Sequence, residues 1–501
     1  MRLILVGMLA ALMVSAHAQA AELSALRILL VGSDPATLTL TAEEKTQPFA
    51  DRMLALRKVR TPQFEQLLRR YFKTVKVVYA KDYQEALSAD YDVTVFDAEP
   101  RPIQESFMEN DPKTGQPVRF HAAEYLTAQF SAAALLISTN SPKLAEPLEY
   151  KMDWLCECLE AHAHDIRLDH PIFNTPYKVK PTLEYRPTPE SYRHYYAGRD
   201  LPKVMPMWRA QKEAHEDGKG YPSGLVSTGR GFTDASDAEV IADGVNTKTQ
   251  DSVALARHGN FFHWGFSASP QDMTDQAQLA FINSVHYIAR FKGQRPYSRR
   301  PFRMAFPHNR QVALDLAYIQ TQQTYEDWVK QQKDSYEMRQ DYLHRMQQAG
   351  QQLDESDVKA MTEPMPTLAT REQWLKEAAL SLQAPSVVAQ FGSALDKYLP
   401  YYQQNLGYLV PGPKLYTFEV DEDVRSLAVP NHEVELLELC VAMLESNLDV
   451  TKVTRILTRY SGEKLQTPQQ WRKWLDSNRS RLYFSDEDGY RFHVAPVVLR
   501  Q

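Results

Sequence analysis

Cysteine is scarce, with three in 501 residues, at Cys156, Cys158 and Cys440. The odd number leaves one thiol unpaired, and a fold stapled by disulfides is excluded. Cys156 and Cys158 fall in a segment read as helix, where side chains two apart point about 200° away from each other, so no disulfide is expected between them. Charge of one sign is also missing. A formal net charge of −6 and a pI near 6.2 leave no electrostatic footprint for nucleic acid or an anionic membrane. After the first twenty residues no apolar run approaches the length of a membrane span. No Walker loop, dinucleotide fingerprint, Ser-His-Asp elbow or paired-cysteine metal motif is found, and Gly229-Arg230-Gly231 is too short for a phosphate loop. Hydrophobic residues at 43% and charged residues at 24% exclude disordered and collagen-like chains.

What is present begins with a leader. Met1-Arg2 is a short positive segment, and Leu3–Val14 is apolar apart from Gly7. Ala16-His17-Ala18 or Ala18-Gln19-Ala20 then suits a signal peptidase, and no cysteine follows for a lipid anchor. The apolar run has the length of a signal core and is too short to span a bilayer. Residues 1–18 are therefore expected to be a signal peptide cleaved after Ala18, and the mature protein to be periplasmic or secreted.

Strand and helix signals alternate through the N-terminal half. Ile28–Val31, Val75–Tyr79, Tyr91–Phe96 and Ala133–Ser138 read as buried strands. Helices are expected from Thr61-Pro62, an N-cap followed by a first-turn proline, and from about Pro147 to Ala161. Residues 165–222 are an ordered excursion rich in Pro, Tyr and Arg. Strands return at Gly224–Ser227, Ala238–Ile241 and in a hairpin over 252–265, before a helix from Thr274 to Phe291. This alternation predicts a doubly wound α/β sheet over residues 19–295. Beyond it, 296–368 reads as a helical linker region. Residues 369–501 read as an all-helical C-terminal domain with HEAT-like helix pairs, carried by Val434, Leu437, Val441 and Leu444, by Val453, Ile456, Leu457 and Tyr460, and by Trp471, Trp474 and Leu475.

Several segments carry a resemblance. Arg27–Gly32, the strand Tyr91–Phe96, Asp169-His170-Pro171-Ile172, the turn Arg257-His258-Gly259-Asn260 and the closing Phe262–Phe266 resemble the ThuA-like (trehalose-utilisation) family. That family is itself similar to class I glutamine amidotransferase domains of flavodoxin-like fold. Gly231–Asp234, Gly244–Lys248 and Trp264–Pro270 look like an exported bacterial branch of it. The resemblance covers residues 27–293 and implies a flavodoxin-like domain with a sugar-related role. It fails at the nucleophile. A working amidotransferase places cysteine in a strained turn after a central strand, whereas Ala133–Ser138 runs into Thr139-Asn140-Ser141. Relatives often carry Gly-His after the closing strand, and this chain has Gly265-Phe266. Glutamine hydrolysis is not expected. Trp471–Trp474, Asn478-Arg479, Leu482–Phe484 and Gly489-Tyr490 are similar to segments closing helical-repeat domains, which implies a packing unit.

Candidate site residues follow from position. Asp34, Asp97 and Glu99 sit at strand carboxyl ends, where open α/β sheets bind ligands. Acids there suit sugar hydroxyls or general base chemistry, although they also cap helices. Asp234, Asn246 and Lys248, with Asp237 and Glu239, lie on a glycine-punctuated stretch, and Arg257 and His258 on a hairpin turn. Tyr185, Tyr192–Tyr196 and Trp208 could stack on sugar rings or simply pack. His164, Asp165, Asp169 and His170, near His162, offer donors for a divalent metal but match no metal signature, and a helix C-terminus followed by a turn opened by Asp169 is the favoured reading. No other cofactor is expected. The leading expectation is an exported protein binding a sugar-like ligand in a strand-end pocket formed by these acids and loops. A carbohydrate hydrolase or isomerase using the same pocket is one alternative. A non-catalytic envelope scaffold, docking a protein partner through its helical domain, is another.

Overall fold

The computed structural model describes residues 23–195, 201–301, 309–322 and 325–497. The expected signal peptide, 1–18, lies outside the described residues. A large sheet organises the N-terminal half. Its strands in chain order are β1 (Ser24–Gly32), β2 (Phe72–Tyr79), β3 (Val93–Phe96), β4 (Ala133–Ile137), β5 (Cys156–Leu159), β6 (His162–His164), β7 (Leu183–Pro187), β8 (Val204–Arg209), β9 (Gly224–Thr228), β10 (Ala238–Gly244), β11 (Ser252–His258) and β12 (Phe261–Trp264). The spatial order is β2-β1-β3-β4-β12-β11-β10-β6-β8-β7, with β9 bridging β11 and β5. From β2 to β12 the pairs are parallel, and beyond β12 they are antiparallel.

The parallel half is buried on both faces, which its unbroken apolar runs require. Alternation along each strand sends Ile28, Leu30, Val93, Val95 and Leu135 to one face and Leu29, Val31, Phe96 and Leu136 to the other. The first face is covered by α1 (Ala50–Arg69) and α3 (Asp275–Ala289), whose Phe64 and Phe281 rings meet at 5.3 Å. Helix α2 (Asn140–Ala145) lies on the second, with Leu144 and Ala145 in that core.

Three local expectations are corrected. Helix α1 begins at Ala50, and Pro62 lies inside it. Thr61 does not cap a helix; its hydroxyl accepts the Ser33 N–H at 3.0 Å and packs against Gly32. The segment read as helix from Pro147 to Ala161 is a short turn followed by β5. Residues two apart in a strand share a face, so Cys156 and Cys158 are bonded as a disulfide with Cα atoms 5.2 Å apart, contrary to the expectation. The excursion over 165–222 contributes β7 and β8 to the sheet.

The C-terminal part is not all-helical. Helices Val434–Glu445, Val450–Ser461 and Pro468–Asn478 pack Leu437, Cys440, Val441, Ile456, Leu457, Trp471 and Leu475 into one core. Two small antiparallel hairpins, Leu409–Pro411 with Phe418–Val420 and Leu482–Ser485 with Arg491–Val494, complete it. Helix Arg310–Gln322 joins this core through Ala313, Leu314 and Ala317. No described helix is long and apolar enough to cross a membrane.

Candidate functional site

Strand order reverses at β1, with β2 on one side and β3 on the other, so the connections diverge and leave a crevice at the strand carboxyl ends. Asp34, Asp97 and Glu99 all lie on that edge. Each carboxylate already has a cation. Asp97 is buried and accepts from Arg60 Nε at 2.6 Å, and the same guanidinium donates to the Ser267 carbonyl. Burial pushes the Asp97 carboxyl up while Arg60 opposes the shift. Asp34 pairs with Lys81 at 2.8 Å, which, with the Ala36 N–H, holds its carboxyl below the usual range. Glu99 pairs with Lys143 and accepts from the Tyr125 hydroxyl.

Beside Arg60 a cleft opens between α1 and the segments 211–222 and 267–272. Its interior is about 40 Å³, well below the ~300–1,000 Å³ of formed ligand pockets, so it is a narrow slot that must widen to admit a sugar ring. Met53, Leu56, Pro222 and Ala268 give it apolar walls, and Arg60, Gln211, Tyr221 and Asp272 polar ones. Gln211 is fixed, its side-chain carbonyl accepting the Ala268 N–H at 2.8 Å. Asp272 differs. Its residue is buried, its Oδ2 has no hydrogen-bond partner among the described residues, and burial pushes its carboxyl up. A buried carboxylate oxygen without a donor carries a desolvation penalty of ~1–3 kcal/mol that an incoming O–H removes.

The turn after β4 is strained. Ser138 has φ 51°, in the left-handed region that costs an L-residue ~1–2 kcal/mol, where strand gives way to α2. Strain at such a turn often marks function. Nearby, Ser141 Oγ lies 2.6 Å from His263 Nδ1, the spacing of a nucleophile and its base, yet both residues are fully buried and closed to substrate.

Asp34, Asp97 and Glu99 do not line this cleft, which Asp97 reaches only through Arg60, and the other sequence candidates lie elsewhere. Arg257 and His258 stand at the opposite end of the parallel strands, because Asn260 begins the pairing beside Ala132 and Ala134 at the start of β4. Arg257 pairs with Glu239 at 2.6 Å and stacks over Phe291. His258 is buried, accepting the Lys151 N–H and facing Ser298 and Asp237, and burial lowers it to about 4. Asp234 pairs with the buried Lys151, whose ammonium burial pushes down to about 7. Asn246 ties its own loop together through Gly244, Thr249 and Ser252, and Lys248 is exposed. The single pocket expected from all these residues is thus divided among separate places.

The histidine cluster divides too. His170 turns toward Glu239, at 3.5 Å, and Asp169 is exposed. His164 and Asp165 stay together and are joined by Asp243, which sequence spacing could not bring in; the ligand atoms of the three lie within 4.8 Å of one another. Of the aromatic run, Tyr192 and Trp208 are buried and Tyr185 is exposed, while Tyr196 lies outside the described residues. Sequence reasoning also passed over Arg60, Gln211 and Asp272, which carry no motif and meet only through the fold. No profile of a known protein family matches the chain, and no curated protein is similar to it.

Proposed function

We propose that this is an exported, ThuA-like protein without the amidotransferase nucleophile, which binds a sugar-like ligand in the slot between α1 and the ends of the parallel strands. The observation that carries this reading is Asp272, a buried carboxylate with an unpartnered oxygen in the wall of a cleft between α1 and the segment that follows β12. Apolar walls with a few fixed polar groups suit a sugar, which presents C–H faces and hydroxyl edges at once. The order β2-β1-β3-β4-β12 supports a flavodoxin-like sheet. The Cys156–Cys158 disulfide supports folding in an oxidising compartment such as the periplasm or cell exterior.

The test is thermal unfolding of the mature protein against a panel of mono- and oligosaccharides. A ligand at a hundred times its Kd adds about 2.7 kcal/mol, a shift of a few degrees in Tm for a domain of this size. One sugar class is expected to produce that shift, and Asp272→Asn to remove it while leaving the unliganded Tm within a few degrees. A flat response to every sugar overturns the reading and leaves the envelope scaffold.

The hydrolase or isomerase alternative draws support from the strained Ser138 and from Asp97 at the same edge. It lacks a base in hydrogen-bond reach of Ser138 among the described residues, since His263 is engaged by Ser141. If a binding sugar is turned over, Asp97→Asn retaining the thermal shift but losing turnover would favour it.

A further inference from the structure

Outside the strand-end cleft, one cluster has donors in excess of its partners. His164 lies at the end of β6, paired in register with Asp243 on β10, and Asp165 follows at φ 47°, which swings its carboxylate back over the imidazole. His164 Nδ1 is 3.0 Å from Asp165 Oδ2. The other ring nitrogen, Nε2, is 3.1 Å from the Tyr192 hydroxyl. That hydroxyl donates to the Gly244 carbonyl at 3.2 Å and accepts the Asn246 N–H at 3.2 Å. Without a cation, Nδ1–H donates to the Asp165 carboxylate; a cation at Nδ1 takes the place of that proton and leaves the remaining N–H at Nε2, facing the Tyr192 oxygen.

The surroundings add to the excess. Asp243 brings a second carboxylate, which has neither a hydrogen bond nor a salt bridge among the described residues. Gln250 Nε2 donates to Asp165 Oδ2 at 3.0 Å, while its buried Oε1 has no partner. Around a cation with bonds of ~2.1 Å, neighbouring ligand atoms stand ~3.0–3.4 Å apart. The three donors here, all within 4.8 Å, need only small side-chain rotations to close on one. Asp165 is about half exposed, so water can complete the coordination.

We propose that His164 Nδ1, Asp165 and Asp243 bind a first-row divalent cation, with Tyr192 fixing the histidine tautomer and Gln250 bracing the carboxylates. One imidazole with two carboxylates suits zinc or manganese; the nitrogen donor disfavours calcium and magnesium, which take oxygen ligands. A hydrogen bond to the far nitrogen of a metal-ligating histidine is the usual supporting contact. This site stands apart from the sugar slot and does not depend on it.

The experiment is metal analysis and calorimetry on the full mature chain. After stripping with chelator and dialysis against zinc or manganese, one ion per chain is expected, and a cobalt-loaded sample is expected to show ligand-field bands of mixed nitrogen–oxygen coordination. Asp243→Asn is expected to weaken binding at least tenfold. Asp165→Asn, a residue that tolerates the same positive φ, covers the case in which the Asp243 variant fails to fold, and is expected to weaken binding similarly. Tyr192→Phe, which keeps every ligand, is expected to lower affinity by a smaller factor. Stoichiometry near zero for both metals overturns the proposal. So does binding that is unchanged in Asp165→Asn and Asp243→Asn, which would place the ion elsewhere.

Discussion

His263 shows how a residue with catalytic credentials can be held to a packing role. Its Nδ1 accepts from Ser141, it is fully buried between β4 and β11, and burial lowers its pKa to about 4 from an ordinary value near 6.5. The unfolded chain therefore binds a proton between pH 6.5 and 4 that the folded chain refuses. Stability is fully present above pH 6.5 and is lost as pH falls toward 4, at about 1.4 kcal/mol per pH unit from this group. His258 titrates over the same window and adds to the slope, so urea unfolding at pH 7, 6, 5 and 4.5 should show a steeper slope in the wild type than in His263→Gln, the difference being about 1.4 kcal/mol per pH unit. If the slopes are equal, His263 is not the group responsible. At this scale Asp97 was legible, because an acid closing an apolar strand marks a carboxyl end. Asp272 and Asp243 were not. Nothing adjacent to either distinguishes it from a surface acid, and only tertiary burial strips its partners.

Elements were legible where burial on both faces forces an unbroken apolar run. β1, β3 and β4 were found in this way, and α3 through its inward stripe of Ala277, Ala280, Phe281, Val285 and Ile288; the structure adds a cap, Thr274 accepting the Ala277 N–H. The errors lay where two conformations share a pattern. Thr61-Pro62 has the chemistry of a helix start, yet the helix is already eleven residues old there. Pro62 is tolerated, and Thr61 faces β1. The contact between Gly32 and Thr61 sets how closely α1 approaches the sheet: a Cβ at position 32 would stand 2.3 Å from Thr61 Cγ2. Gly32→Ala should push α1 outward, costing ~1–3 kcal/mol by overpacking. It should also disturb the slot that α1 helps to wall. Chemical denaturation would measure the first effect. A Gly32→Ala, Thr61→Ser double variant should recover part of it, and no recovery would mean that the clash is relieved elsewhere.

Across the whole molecule, the two cores are joined through buried charge. Arg300 donates to the carbonyls of Lys151, Thr228 and Arg230 and to Asp153, and pairs with Glu487 from the turn between the last two strands. Arg230 similarly pairs with Asp315 of helix Arg310–Gln322, and Tyr297 packs on Tyr483. None of this was readable from the sequence, since the partners are far apart in the chain and charged residues ordinarily signal surface. Removing one partner of a buried pair is costly, ~3–5 kcal/mol, because the other charge is left unpaired. Glu487→Ala should lower stability by that order and split one calorimetric transition into two, as the halves lose their coupling. A single, undisplaced transition would show that the junction contributes little.

The placement of the three thiols bears on assembly. Three cysteines allow three pairings, but Cys156 and Cys158 are separated by a single residue, and the third, Cys440, is enclosed in the C-terminal core. Two thiols that close in sequence meet before distant segments do. Once the helices around Cys440 have packed, the only thiol able to attack that bond is shut away from it. A chain arranged in this way can mature in an oxidising compartment without error correction by a disulfide isomerase, because the correct bond is the nearest one and the spare thiol is removed from circulation by folding itself.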